Sequence, residues 1–430
     1  MRTTNRIIAS VTVVGLAAFG GLFSPAPLPA QLANASATTI GLAGNHTATA
    51  RGFAAISVNP AGLAMPGSGF SLSLLPIQVR SGIDPINFSD LKDVEGTVIS
   101  AATKEEWLSR VNTEGRQSGT FGVDVSELAL TVGRLGLQLS TIVSATMNLA
   151  PDIVEAVLFG NAGRTGSPTD LSFSGSTLEG FAVTTAGLSL GVPINSATGG
   201  MAIGATVKWS VGHGVAVARD QGGSFVSDPT RVTVNFPIVH TDEDDPEFNN
   251  GSGVGLDVGF MMTRDRMSFG VSVQNVFNTF AWKEETLRYR PGTADIQQGS
   301  SETDFEKQSY SAAPAALKAT IEEMTFDPTV AVGGAYDVSE DFTVSADVRS
   351  RLGDGLALVP RFHLGAGAEY RGLRVLHLRG GAAIITDGFQ LGGGASLVLG
   401  PVNFSAAVAV QTGDLEDTTF AQFVLSFGNR

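Results

Sequence analysis

The chain has 430 residues, 43% of them hydrophobic and 16% charged, with 53 glycines, no cysteine and a formal charge of −14. Charged residues usually make up about a quarter of a soluble domain and glycine roughly 7%, so this composition excludes a disordered chain and a disulfide-stapled scaffold. The acidic balance disfavours a nucleic-acid partner, which needs clustered Lys and Arg, and a cysteine-built metal site is impossible.

Arg2 and Arg6 precede an apolar run from Ile7 to Phe23, followed by SPAPLPAQLANASA. A basic start, an apolar core and small residues after it predict a secretory signal peptide over 1–30, with cleavage as late as Ala37. The competing reading is an uncleaved anchor, for which a run this short and rich in Gly and Ala is marginal.

Residues 31–68 are Gly- and Ala-rich and pass through Asn59, Pro60 and Ala61 before the first strand. Proline fixes its own backbone angle and lacks a donor, and an Asn side chain can satisfy nearby backbone groups. An ordinary turn ahead of the first strand explains the same residues.

From 69 to 430 the pattern alternates with period two, which marks strands with two different faces. Strands are expected at 69–79, 126–134, 136–148, 181–193, 201–212, 252–262, 267–277, 328–336, 342–350, 361–370, 374–385, 389–399, 402–411 and 419–428. The stretches 167–177 and 229–240 are further candidates. In GSGVGLDVGFMM, Val254, Leu256, Val258, Phe260 and Met262 oppose Gly253, Gly255, Asp257 and Gly259. A soluble sheet with one wet face would alternate in this way, and so would a membrane barrel with a polar lumen. The lengths favour the barrel, because tilted spans need about 9–11 residues whereas soluble strands more often have 5 or 6.

Turn lengths give an independent check, since bacterial barrels have short periplasmic turns and longer outer loops. Short turns are expected at Arg134-Leu135, 195–200, 263–266, 337–341, Arg371-Gly372 and Gly400-Pro401. All fall at one end, with long connections such as 278–327 and 351–360 at the other, where Asp387-Gly388 is the one tight hairpin. Three loop stretches read as helices, at 92–111, 151–160 and 314–324, where Leu317, Ile321 and Met324 share one face. They would form an apolar capture surface or simply pack on the rim.

Lys208, Asp257, Asp347, Arg349, Arg361, His363, Glu369, Arg371 and Arg379 fall on the polar face. Turning an Arg or Lys toward lipid at the midplane would cost about 2–4 kcal/mol, which fixes that face inward. These charges either pair across the lumen or contact a ligand, and Asp257, Asp347, Arg349, Arg361 and Arg379 are the candidates for contact. Arg349 or Arg361 would meet a carboxylate.

The segment TTIGLAGNHTATARGFAAISVNPAGLAMPGSG resembles the start of the FadL-type outer-membrane transporters of long-chain fatty acids and aromatic hydrocarbons. GSGVGLDVGF, MSFGVSVQNVFNTFAW and FHLGAGAEYR look like later strands of that family and of PorV-like barrels. The resemblance implies a fourteen-stranded barrel with residues 31–68 inside it as a hatch and Asn59, Pro60 and Ala61 as the hatch motif. It also implies an outer-membrane address among lipid and an apolar small-molecule ligand bound in the lumen, leaving sideways or past the hatch. Two features depart from the family's pattern. The chain ends Phe427, Gly428, Asn429, Arg430 rather than on an aromatic, and Trp and Tyr total only seven, so aromatic girdles must be thin or built from Phe.

Other chemistry finds little support. GLSLG around Ser189 matches a nucleophile pattern that requires a strand-to-helix elbow, yet Ser189 sits inside an alternating strand. The acidic run TDEDDPEFNN could offer oxygen to a divalent cation but lacks EF-hand spacing, and the five histidines show no ligand spacing. No cofactor, metal site or enzymatic activity is expected. The function expected is passive transport of hydrophobic small molecules such as long-chain fatty acids, the alternative being a PorV-like barrel that serves as a platform for a protein partner.

Overall fold

A computed structural model describes residues 32–67, 69–160, 162–194, 200–353, 355–356, 359–386, 388–412 and 418–428. The expected signal peptide lies outside the described residues, as do the turn at 195–199 and part of the hairpin at 387–388.

Fourteen antiparallel strands form the wall: β1 Phe70–Asp84, β2 Gln117–Val132, β3 Leu135–Leu149, β4 Thr177–Ile194, β5 Gly200–Arg219, β6 Gly251–Arg264 and β7 Met267–Asn278, then β8 Thr329–Asp337, β9 Phe342–Arg351, β10 Phe362–Leu373, β11 Leu376–Ile385, β12 Gly388–Leu399, β13 Val402–Gln411 and β14 Thr418–Gly428. Each pairs with the next, and β14 returns to β1 with Ser71 opposite Gly428 and Gly82 opposite Thr418. The sheet therefore closes on itself and leaves no free edge.

The strands alternate because their two faces meet different surroundings. On β9, Thr343, Ser345 and Asp347 are buried toward the lumen while Ala346 and Val348 are exposed. Outward positions carry two aromatic rings. Phe70, Phe269, Tyr336, Tyr370 and Phe404 lie near the short-turn ends of their strands, and Phe121, Phe277, Phe362 and Phe389 near the long-loop ends, all exposed. Phe362 and Tyr370 are eight residues apart on one strand, about 26 Å of rise. A tilt of about 40° foreshortens this to about 20 Å, near the ~25 Å apolar band of such barrels. The girdles are thus built mainly from Phe.

Several boundaries differ from the sequence-based expectation. β1 runs on to Asp84 and β2 begins at Gln117, because polar residues there still pair above the apolar band. The turn expected at Arg371-Gly372 falls instead at 374–375, since Leu373 pairs with Leu376 after a bulge. The single helix expected over 92–111 is two, α1 Phe88–Asp93 and α2 Ala101–Glu114, each capped by its own side chain, Asn87 and Ser100. The loop helices α3 Pro151–Phe159 and α4 Ala315–Glu323 match their expected stretches.

β4 and β5 have 18 and 20 residues, far beyond a single span. Their loop-side halves are continued by Ile238–Thr241, Leu287–Arg290 and Gln308–Ser309. Leu317 and Ile321 of α4 bury themselves there against Phe181, Val215, Val217 and Trp282, so α4 packs on the rim. α2 and α3 likewise join through Trp107, Leu108, Val111 and Val154. The stretches 167–177 and 229–240 contribute to a separate five-stranded loop sheet of Leu171–Ser172, Ser224–Ser227, Thr230–Asn235, Thr293–Gln297 and Ser300–Asp304.

Candidate functional site: a plugged lumen with a cavity above the plug

The chain from Leu32 to Gly67 folds inside the wall as short pieces, Ala37–Gly41, Phe53–Val58 and a 3-10 turn Pro60–Ala64. Asn59 caps that turn by accepting from the Ala61 N–H at 3.2 Å, and its Nδ2 donates to Thr47 O and Phe260 O, both at 3.1 Å. One side chain therefore closes its own turn and ties it both to the rest of the segment and to β6. Pro60 suits the first position of the turn, where a missing N–H costs nothing.

The wall makes room for this backbone with inward glycines. A Cβ at Gly204 would lie 2.2 Å from the Pro60 carbonyl carbon, and one at Gly259 would lie 2.1 Å from Asn59 Oδ1. Side chains supply the rest of the seat. Asp347 Oδ2 accepts from the backbone N–H groups of His46 and Thr47 at 2.9 and 2.8 Å, and Ser345 Oγ donates to Asn45 O at 2.8 Å. Gln138 Nε2 donates to Ala33 O at 2.6 Å and Gln274 Nε2 to Ser57 O at 2.5 Å. Buried backbone groups need such partners, so the inward polar face serves the segment it encloses.

The five charged residues predicted to contact ligand are not brought together. Asp257 is buried in an ion pair with Lys208 at 2.5 Å and also accepts from the Asn275 N–H at 2.7 Å. Asn275 has φ 53° and sits in a bulge where β7 shifts register against β6. Arg379 pairs with Glu369 at 2.8 Å. Arg349 donates to Gly44 O at 2.9 Å. Arg361 departs from the expectation of a strand residue: it immediately precedes β10 and is exposed, although its carbonyl oxygen still accepts from the Arg351 N–H at 2.9 Å.

A cavity of about 260 Å³ remains. Its wall includes Arg80 on β1, Asp124 on β2, Ile142 on β3, Gln274 on β7, Arg349 on β9 and Gln411 on β13. All but Ile142, at the middle of β3, lie in the half of their strand that ends at the long loops, and the enclosed segment contributes Leu32, Ala33, Ile40 and Val58. The cavity is thus a chamber on the loop side with the N-terminal segment as its floor. Sequence reasoning missed Arg80 and Asp124 because β1 and β2 extend further than expected, and it passed over Gln78, inside the expected first strand, because only charged residues were singled out.

Ser189 is fully buried in β4 and hydrogen-bonded to Thr206 Oγ1 at 2.7 Å, with no elbow around it. The acidic run is answered by cations. Lys307 binds Asp242 at 2.6 Å and also Asp244, Arg288 binds Asp242 at 2.7 Å, and Arg290 binds Glu243. The Lys307 hydrogen bond holds the Asp242 carboxyl below its ordinary value. Among the described residues no group of three or more His, Asp or Glu is placed to hold a metal ion.

A family model described as "Family of unknown function (DUF5723)" matches residues 66–408. Among curated proteins none matches. Similar solved structures include the toluene transporter TodX of Pseudomonas putida, at 10% identity over 94% of this chain and 98% of that chain, TM-score 0.46. A FadL homologue of Pseudomonas aeruginosa is 12% identical over 93% and 99%, TM-score 0.46. The CymD monoaromatic hydrocarbon channel is 12% identical over 91% and 95%, TM-score 0.47.

Proposed function

We propose that this chain, which belongs to the family described as "Family of unknown function (DUF5723)", is an outer-membrane passive transporter of small hydrophobic molecules. The observation that carries the reading is the chamber itself, closed below by residues 32–67 and lined from the loop-side halves of its strands. A structural barrel needs no internal room, and a diffusion pore would not be filled. A loop-side chamber above a plug suits capture from outside, followed by release when the plug yields.

The apolar girdled exterior supports a place in lipid, and short turns on the side where β1 begins and β14 ends support the outer membrane. Leu32, Ala33, Ile40, Val58 and Ile142 give the chamber its apolar share. At about 260 Å³ it lies just below the ~300–1,000 Å³ of most small-molecule sites. A compact ligand therefore fits better than the whole length of a long-chain fatty acid.

Mass spectrometry of small molecules that co-purify with the barrel, extracted from outer membranes in mild detergent, tests the reading. One apolar compound per barrel is expected. An empty lumen accompanied by a defined protein partner would favour an interaction platform instead.

A further inference from the structure

We infer that the chamber contains a head-group subsite at Arg80, and that its ligand is a small amphipathic monoanion such as an aryl or short-alkyl carboxylate. The inference rests on the transport reading of the chamber. The Arg80 side chain is only 9% exposed and lines the chamber. A guanidinium carries five N–H donors. Among the described residues only Nη2 has a partner, Asp124 Oδ1 at 2.8 Å, and Nε is enclosed with no acceptor. Such a group is costly to bury unless something in the chamber accepts from it.

The neighbouring groups hold the guanidinium in place without saturating it. Both Asp124 oxygens are engaged, Oδ1 by Arg80 and Oδ2 by Gln78 Nε2 at 2.9 Å. Gly122 lies directly opposite Arg80 on β2. A Cβ there would lie 2.9 Å from both Arg80 Nε and Nη2, so the guanidinium rests over backbone that only glycine leaves bare. Ile142 pairs with Asp124 across β2 and β3 and, with Leu32 and Ala33, offers an apolar wall in the same chamber. Among Asp, Glu, Lys and Arg, the lining holds Arg80, Arg349 and Asp124, and Asp347 offsets Arg349 from outside it, so the unpaired Arg80 donors are what call for an acceptor. One acidic head on a short apolar body matches this lining in hydrogen bonding, polarity and size.

The test is equilibrium dialysis of benzoate and benzyl alcohol against the full chain in lipid nanodiscs. The two compounds share a ring and differ in the head. The native chain should bind benzoate about tenfold more tightly, equivalent to ~1.4 kcal/mol. Arg80→Gln with Asp124→Asn, which removes both charges together, should abolish that preference, so that benzoate binds no more tightly than benzyl alcohol to the same variant. Gly122→Ala, which keeps every charge and displaces the guanidinium, should do the same. Benzoate preference that survives in both variants, or is missing from the native chain while benzyl alcohol binds, overturns the subsite and spares the chamber. Failure of the native chain to bind either compound overturns the subsite and the transport reading together.

Discussion

Gly259 faces Asn59 so closely that a Cβ at 259 would lie 2.1 Å from the Asn59 side-chain oxygen. The glycine lies on the wall and the asparagine in the segment that fills the lumen, so their contact is where the two surfaces seat. Gly259→Ala should push the Asn59 turn off β6 and break its bond to Phe260 O. With no native cysteine in the chain, a single cysteine at Ala61 can report this. Its maleimide labelling should accelerate several-fold in the alanine variant, and an unchanged rate would remove Asn59 as the seat.

Asp347 holds two backbone N–H groups of the enclosed segment, those of His46 and Thr47. Asp347→Ala leaves both without an acceptor, at about 1–3 kcal/mol for each buried group. Hydrogen exchange should then rise over residues 44–48 while the strands stay protected. Equal exchange in both proteins would show that the glycine seats suffice.

Lys208 and Asp257 form an ion pair in which both side chains are almost wholly buried, at 2% and 4% exposure. Removing one partner of such a pair typically costs about 3–5 kcal/mol, and removing both costs less. Lys208→Met should lower the detergent-unfolding midpoint clearly, and Lys208→Met with Asp257→Leu should recover part of the loss. The single variant should also loosen the Asn275 bulge, seen as faster exchange at that amide.

Asp242 links the outer loops through Lys307 and Arg288, and its carboxyl lies below its ordinary value chiefly because Lys307 donates to it. A carboxyl whose value is depressed by folding stabilises above the unfolded value, near pH 4, and that support fades as pH falls through the folded value. Pepsin cleavage within 238–309 should therefore increase as pH drops from about 4 toward 2. Asp242→Asn should be cleaved readily at the upper end of that range and show little further change. Pepsin cleavage that ignores both pH and the substitution would contradict this linkage.

Much of the wall was legible because two-faced strands leave a period-two signature: Val348 meets the outer surface and Asp347 the lumen, one residue apart. The loop-side ends of β1 and β2 were not, because Ser81 and Gly119 stand at outward positions there, where the alternation calls for an apolar side chain. Arg361 illustrates the opposite error. Its parity is correct for an inward residue, but its carbonyl makes the last bond of the wall there, to the Arg351 N–H, and the residue is exposed at that end. The seat at Asn59 was visible as a capped turn, while the roles of Gly204 and Gly259 depend on contacts across 144 and 200 residues of chain, which no local pattern encodes. Of the small loop sheet, the stretches 167–177 and 229–240 were legible as candidate strands, but their pairing was not, since the five strands are gathered from three separate connections.

The most direct test of the transport reading is to tether the plug. A Cβ at Gly367 would lie 3.2 Å from both the Cβ and the carbonyl oxygen of Leu42, and disulfides need about 3.5–4.5 Å, so Gly367→Cys with Leu42→Cys requires only a small shift to bridge wall and plug. Uptake of radiolabelled toluene by intact cells expressing this variant should fall to the background of cells without the barrel when the bridge is oxidised. It should return to the native level on reduction. Equal uptake in both states would show that the plug need not yield, and uptake no greater than background even in the native barrel would show that the chamber does not conduct hydrophobic molecules at all.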